Sequence, residues 1–127
     1  MGHSALLPEE ILIGLVKLGE IKDFTANNAI LQKAFYDLKR KEDYKELLKP
    51  FRFTGSPAAP FSEVLDSALF ILQYSNKIRK FNPDLISYQI TDKADQYFKK
   101  KVQQKLDDTT SVTLVSLAKE LREALYS

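Results

Sequence analysis

Over residues 61–91 the spacing of apolar side chains changes period, and that change limits what the chain can become. Phe61, Leu65, Ala68, Leu69 and Leu72 fall at i, i+4, i+7, i+8 and i+11, one stripe of an α-helix that Val64 and Ile71 widen. Ser62 is placed to cap its start, and Glu63 and Asp66 lie near the positive end of the helix dipole. Asn76 tolerates the left-handed backbone that ends helices. Beyond it the pattern alternates. Ile78 opens one short strand, and Ile86, Tyr88 and Ile90 alternate with Ser87 and Gln89 in another. Asn82-Pro83-Asp84 between them is turn chemistry, because proline presets φ and the flanking side chains bond nearby backbone. A new helix is expected after Thr91, with Asp92 as its cap. One amphipathic helix running straight into a two-stranded hairpin predicts an α+β fold that is mostly helical.

The flanking segments read as further helices. The first spans 8–21, with Pro8, Glu9 and Glu10 in its first turn and Ile11, Leu12, Leu15, Val16 and Leu18 inward. The second follows Phe24, capped by Thr25 or Asn27, and buries Ile30, Leu31, Ala34, Phe35 and Leu38. Lys22-Asp23-Phe24 is a poor candidate for a strand between the two. Residues 39–49 suit a short helix turning Tyr44, Leu47 and Leu48 inward, stopped by Pro50; 51–54 alternate like a brief strand; 55–60 form a loop. In the tail, Ala94, Tyr97, Phe98, Val102 and Leu106 predict a helix over 92–106, with Lys99, Lys100 and Lys101 on its other side. After a break at 107–111, a last helix over 112–126 lines up Leu114, Leu117, Ala118, Leu121 and Leu125. The 127 residues form one domain on this reading, with residues 1–7 expected to be disordered.

Residue types remove most chemistry. There is no cysteine and a single histidine, His3, so neither a transition-metal site nor a thiol or serine nucleophile with a histidine base is expected. Gly2, Gly14, Gly19 and Gly55 make no phosphate-cradling loop. Glu9-Glu10 and Asp107-Asp108 are sequence neighbours, which point about 100° apart on a helix and share no site. Neither an enzyme nor a cofactor is expected. No apolar run approaches a bilayer span, the N-terminus lacks the basic region of a secretion signal, and a cytoplasmic location is expected.

Charge is uneven although the net is only +2. Residues 76–105 carry eight bases against three acids, while residues 1–29 carry two bases against four acids. Such asymmetry points to a side facing a polyanion, or else to a solvated helix face and a lysine-protected strand edge.

Residues 75–98 resemble the corresponding stretch of winged-helix regulators of the MarR and PadR kind. The residues that carry the resemblance are Asn76-Lys77-Ile78 and Tyr88-Gln89-Ile90-Thr91-Asp92-Lys93, with Ala94 where those proteins usually have glycine. Leu31-Gln32-Lys33 followed by Pro60-Phe61-Ser62 is similar to winged-helix proteins that accompany toxin–antitoxin and phage-defence systems. The resemblance implies a winged helix-turn-helix with extra C-terminal helices, and a transcriptional regulator that binds double-stranded DNA. Lys77, Arg79 and Lys80 would then reach phosphates from the wing, Gln73 and Asn76 would meet base edges, and Arg52 would clamp the backbone. Regulators of this kind often dimerise through terminal helices, which makes Leu114, Leu117, Leu121 and Leu125 the candidate dimer face.

Two features oppose that picture. A compact helix-turn-helix joins its helices by about 3–4 residues, whereas here the second helix and the one at 62 are separated by some twenty, which asks for an expanded version. The central helix also turns Glu63, Asp66, Phe70 and Tyr74 outward and carries no Lys or Arg. The alternative is therefore a winged-helix module that binds protein, unless Phe70 and Tyr74 are covered by the rest of the chain, as is expected here.

Overall fold

A computed structural model describes residues 6–80 and 87–126. In chain order the elements are α1 (Pro8–Leu18), β1 (Asp23–Thr25), α2 (Asn28–Lys39), α3 (Glu63–Tyr74), β2 (Ile78–Lys80), β3 (Ser87–Ile90), α4 (Asp92–Tyr97) and α5 (Asp108–Tyr126). Between α4 and α5 lie a π-helical turn, Phe98–Val102, and a short 3-10 turn, Gln103–Lys105. The fold is α+β and mostly helical. Its one antiparallel sheet has the order β1-β3-β2. The expected hairpin turn at Asn82-Pro83-Asp84, the strand start at Ile86 and the terminal residues 1–5 lie outside the described residues.

The expected helix starts hold where a side chain enforces them. Asn27 accepts from the backbone of Ala29 and Ile30 at 3.0 and 3.3 Å, which settles the cap of α2. Ser62 accepts from Leu65 at 3.2 Å and opens α3. Asn76 ends α3 with φ +61°, the left-handed conformation anticipated for it. Thr91, not Asp92, precedes α4, and its hydroxyl donates to the Asn76 carbonyl at 2.6 Å. That bond ties the end of β3 to the end of α3.

Four expectations need correction. First, the stretch judged a poor strand is β1, which pairs Phe24 with Tyr88 and Asp23 with Gln89 of β3. Only Phe24 is apolar there; the strand is held by its ladder and by the Phe24 and Tyr88 rings, 5.2 Å apart. Second, residues 41–51 are a run of turns and not a helix, with Tyr44 N–H to Lys41, Leu48 N–H to Tyr44 and Phe51 N–H to Leu48 all at 3.0 Å. Tyr44, Leu48 and Phe51 are nonetheless buried. The strand expected at 51–54 is reduced to one bridge, Thr54 with Phe61.

Third, the tail helix at 92–106 gives way after Tyr97 to the π turn. Ala94, Phe98 and Val102 are spaced by four, and an α-helix would rotate that row by about 40° per step. The wider turn keeps all three buried while Lys99, Lys100 and Lys101 stay outside. The break expected at 107–111 is in fact the start of α5, where Asp107 accepts from the Thr110 N–H at 2.7 Å. Fourth, residues 6 and 7 belong to the fold. Leu6 packs on the core and the Leu7 N–H donates to Glu10 at 2.8 Å.

The candidate dimer face is also spent. Leu114, Leu117 and Leu121 are at most 2 % exposed, inside the chain's own core, and Leu125 packs at its margin. α5 lies against both α1 and α2, so Leu114, Leu117 and Leu121 close this domain and are not open to a second copy. Gly19, just past α1, allows that approach: a Cβ there would stand 3.1 Å from Ala118 and 2.9 Å from the Leu15 carbonyl.

Glu10 is a charge within this core, 3 % exposed. Lys105 reaches its two carboxylate oxygens at 2.9 and 3.0 Å, fastening the 3-10 turn to α1. Lys105→Met leaves that carboxylate with the Leu7 N–H as its one partner among the described residues. Because Lys105 itself is partly solvated, the expected loss is about 2 kcal/mol, below the ~3–5 kcal/mol of a fully buried pair. Urea unfolding of the two proteins measures it.

Candidate functional site

The surface made by α3, the hairpin base and the start of α4 holds most of the candidate residues, and the fold sorts them onto two sides. α3 buries Leu65, Ala68, Leu69 and Leu72. Three residues on its outer side are large, apolar and uncovered: Phe70 is 63 % exposed, Tyr74 81 % and Ile71 44 %. The Phe70 and Tyr74 rings lie 6.1 Å apart, as an i, i+4 pair should. The expectation that the chain covers Phe70 and Tyr74 is therefore wrong. Glu63 and Asp66 share the exposed side, and no Lys or Arg occurs between 63 and 74. On the flank of α3 nearest α1, a shallow cleft of about 210 Å³ is lined by Pro8, Glu9, Glu63, Val64, Ser67, Ala68 and Ile71.

The hairpin side carries the cations. β2 is an edge strand, and Arg79 and Lys80 are exposed on it. Asn76 and Arg79 line an open depression with Gln89, Ile90, Thr91, Asp92 and Lys93. Among the described residues no carboxylate forms an ion pair with Arg79, Lys80 or Lys93. The other expected members are differently placed. Lys77 is half-buried, its ammonium 4.6 Å from the centre of the Tyr97 ring. Lys80 reaches back over Tyr88 at 5.9 Å. Gln73 is half-buried too, its amide 3.4 Å from the Tyr88 hydroxyl beneath the helix, so it is not presented as a base reader. Arg52 is exposed but belongs elsewhere: its neighbours Phe51 and Phe53 meet Phe35 and Tyr36 of α2, tilted and edge-to-face, with ring centres 5.5 Å apart in each pair.

Sequence reasoning missed the aromatic–cation cluster on α2. Lys33 and Arg40 both approach the Tyr36 ring, and Lys39 approaches Phe53 while donating to the Phe51 carbonyl at 2.7 Å. The i, i+3 and i, i+4 spacing of Lys33, Tyr36 and Arg40 was visible in the sequence; the contribution of the 51–54 segment was not.

Perturbed ionisations track these contacts. Burial raises the Tyr88 hydroxyl, with the Asp66 charge adding to it. Tyr97 is pushed up to about 12, first by burial and then by Glu10 and Glu9. Asp95 is lowered by hydrogen bonds from Lys17 and Lys99, and Glu120 by those from Lys41 and Tyr44. A phenol in an unfolded chain titrates near ~10, so stability linked to Tyr97 is whole below that pH and lost as pH rises through about 12. Tyr97→Phe is expected to shrink the alkaline loss of stability between pH ~10 and about 12, read by urea unfolding at each pH.

Comparison with known protein families, curated proteins and solved structures finds no match. Among the described residues there is no cluster of metal-ligating side chains, and no helix is long and apolar enough to cross a membrane.

Proposed function

We propose that the chain is a winged-helix-like domain that binds another protein through the outer side of α3. The order α1-β1-α2-α3-β2-β3 and the sheet order β1-β3-β2 support the winged-helix part, with the long 40–62 connection as an expansion between α2 and α3. The observation that carries the binding partner's class is the uncovered Phe70–Tyr74 pair, set beside Glu63 and Asp66 on a helix without a cation. In a winged helix bound to duplex, this helix would enter the major groove, where its acids would face phosphates. Exposed aromatics are instead the residue type enriched at protein interfaces.

A photo-crosslinking amino acid at Tyr74, in the full chain within its own cells, tests this reading. A discrete protein adduct from position 74, absent when the same group replaces Lys49 beside the start of α5, is the expected result. Equal labelling from both positions, or none from 74, overturns it.

A second reading is favoured by Arg79, Lys80 and Lys93, which pair with no carboxylate among the described residues: duplex DNA, held through the hairpin side by phosphate contacts alone. On that reading Arg79→Ala/Lys80→Ala lowers the salt slope of duplex affinity by about 1.8, at ~0.9 per lost contact. Fluorescence anisotropy across a salt series measures it, and an unchanged slope removes the hairpin from any account of DNA binding.

A further inference from the structure

The apolar and acidic groups on this surface are arranged along a line. The cleft between α1 and α3 has an apolar floor of Pro8, Val64, Ala68 and Ile71. Ser67 and Ile71 lie three positions before Phe70 and Tyr74, so the floor runs on into the exposed aromatic pair. Glu9 and Glu63 line that cleft and Asp66 lies one turn beyond Glu63, all three on the outside of the two helices. Neither residues 8–16 of α1 nor residues 63–74 of α3 contain a Lys or Arg. Among the described residues that line the cleft, apolar side chains stand beside carboxylates and no cation, which is complementary to a ligand that is both apolar and cationic.

We infer that the α1–α3 cleft and the adjoining Phe70–Tyr74 face receive a cationic amphipathic helix of a partner protein. This inference rests on the reading of α3 as a protein-docking face and adds the partner's chemistry. The partner's apolar ridge lies along Ile71, Phe70 and Tyr74, and its Lys or Arg side chains meet Glu9, Glu63 and Asp66. Charge complementarity selects this occupant over an acidic helix and over nucleic acid, because both would bring negative charge against three carboxylates. Extent argues against a second copy of this domain. With ~200 Å² per large side chain, the exposed parts of Phe70, Ile71 and Tyr74 come to roughly 400 Å². That is half of the ~800 Å² a stable interface takes from each partner, and a single helix laid along the cleft matches it better.

The test uses two synthetic probes with the full chain: an amphipathic peptide of leucine and lysine at helical spacing, and its leucine–glutamate counterpart. Calorimetric titration is expected to show the leucine–lysine peptide binding at least about tenfold more tightly than the other. Phe70→Ala/Tyr74→Ala is expected to weaken it by about tenfold or more. Glu63→Gln/Asp66→Asn is expected to weaken it about threefold and to flatten its salt dependence. All four side chains are exposed, so Phe70→Ala/Tyr74→Ala should keep the parent melting temperature; Glu63→Gln/Asp66→Asn, which removes two acids from the first turn of α3, should lower it by only a few degrees, and both are checked alongside.

Equal binding of the two peptides through Phe70 and Tyr74 overturns the charge assignment while leaving the docking face in place. Leucine–lysine binding indifferent to the Phe70 and Tyr74 substitutions overturns both. Self-association of the chain that disappears in Phe70→Ala/Tyr74→Ala identifies a second copy as the occupant and also overturns the inference.

Discussion

Phe51→Ala is expected to lower the unfolding free energy by about 4 kcal/mol, the loss of a fully buried aromatic side chain. Phe51 is fully buried although it lies in a stretch without regular secondary structure. Its ring meets Phe35 of α2 at 5.5 Å, its N–H donates to Leu48 and its carbonyl accepts from Lys39 at 2.7 Å. The loss comes from the emptied volume, since all the backbone bonds survive the substitution. Urea unfolding monitored by circular dichroism measures it. A loss below about 1 kcal/mol would mean that the 40–62 connection is draped over the core and not built into it.

Gln32→Leu is the second large effect, at about 3 kcal/mol. Gln32 is 2 % exposed on α2, and its amide makes two bonds to the backbone of one residue, Ser62. The Ser62 N–H donates to Oε1 at 2.7 Å and Nε2 donates to the Ser62 carbonyl at 3.2 Å. Leucine fills the space but leaves a buried N–H without an acceptor; the carbonyl keeps the Asp66 N–H at 3.1 Å. The cost is therefore mostly one orphaned donor in a dry site, together with misfit of the branched side chain. Because Ser62 also caps α3, the variant should loosen the start of that helix. Hydrogen exchange at the backbone of 63–67 is expected to accelerate more than exchange at the centre of α5, which a purely global loss would not do.

The sequence was most legible where one element's own pattern decides its geometry. Leu65, Ala68, Leu69 and Leu72 of α3, its Ser62 cap, the Asn76 stop and the alternation that becomes β2 and β3 needed only local spacing and side-chain chemistry, whereas Phe61, counted in the same stripe, lies before the helix, exposed and bridged to Thr54. What could not be read was which faces remain open. Periodicity places Leu114, Leu117 and Leu121 on one side of α5 and Phe70 and Tyr74 on one side of α3, but it does not say what covers either side. The fold covers the first set with α1 and α2 and leaves the second bare. β1 was missed for a related reason. Asp23-Phe24-Thr25 has little strand character of its own, and its conformation is imposed by β3 sixty residues later in the chain. Among the candidate site residues, Arg79 and Lys80 lie open on the edge strand, whereas Gln73 and Lys77 are engaged by Tyr88 and Tyr97.

The central claim is that α3 faces protein and not a phosphate backbone. Amide chemical-shift mapping of the labelled chain with a short DNA duplex tests it most directly. Any shifts at low salt are expected to be confined to Arg79, Lys80 and the segment 89–93, to fade as salt is raised, and to spare 63–74. Shifts centred on Asp66, Phe70 and Tyr74 that persist at physiological salt would place α3 in the groove and contradict it.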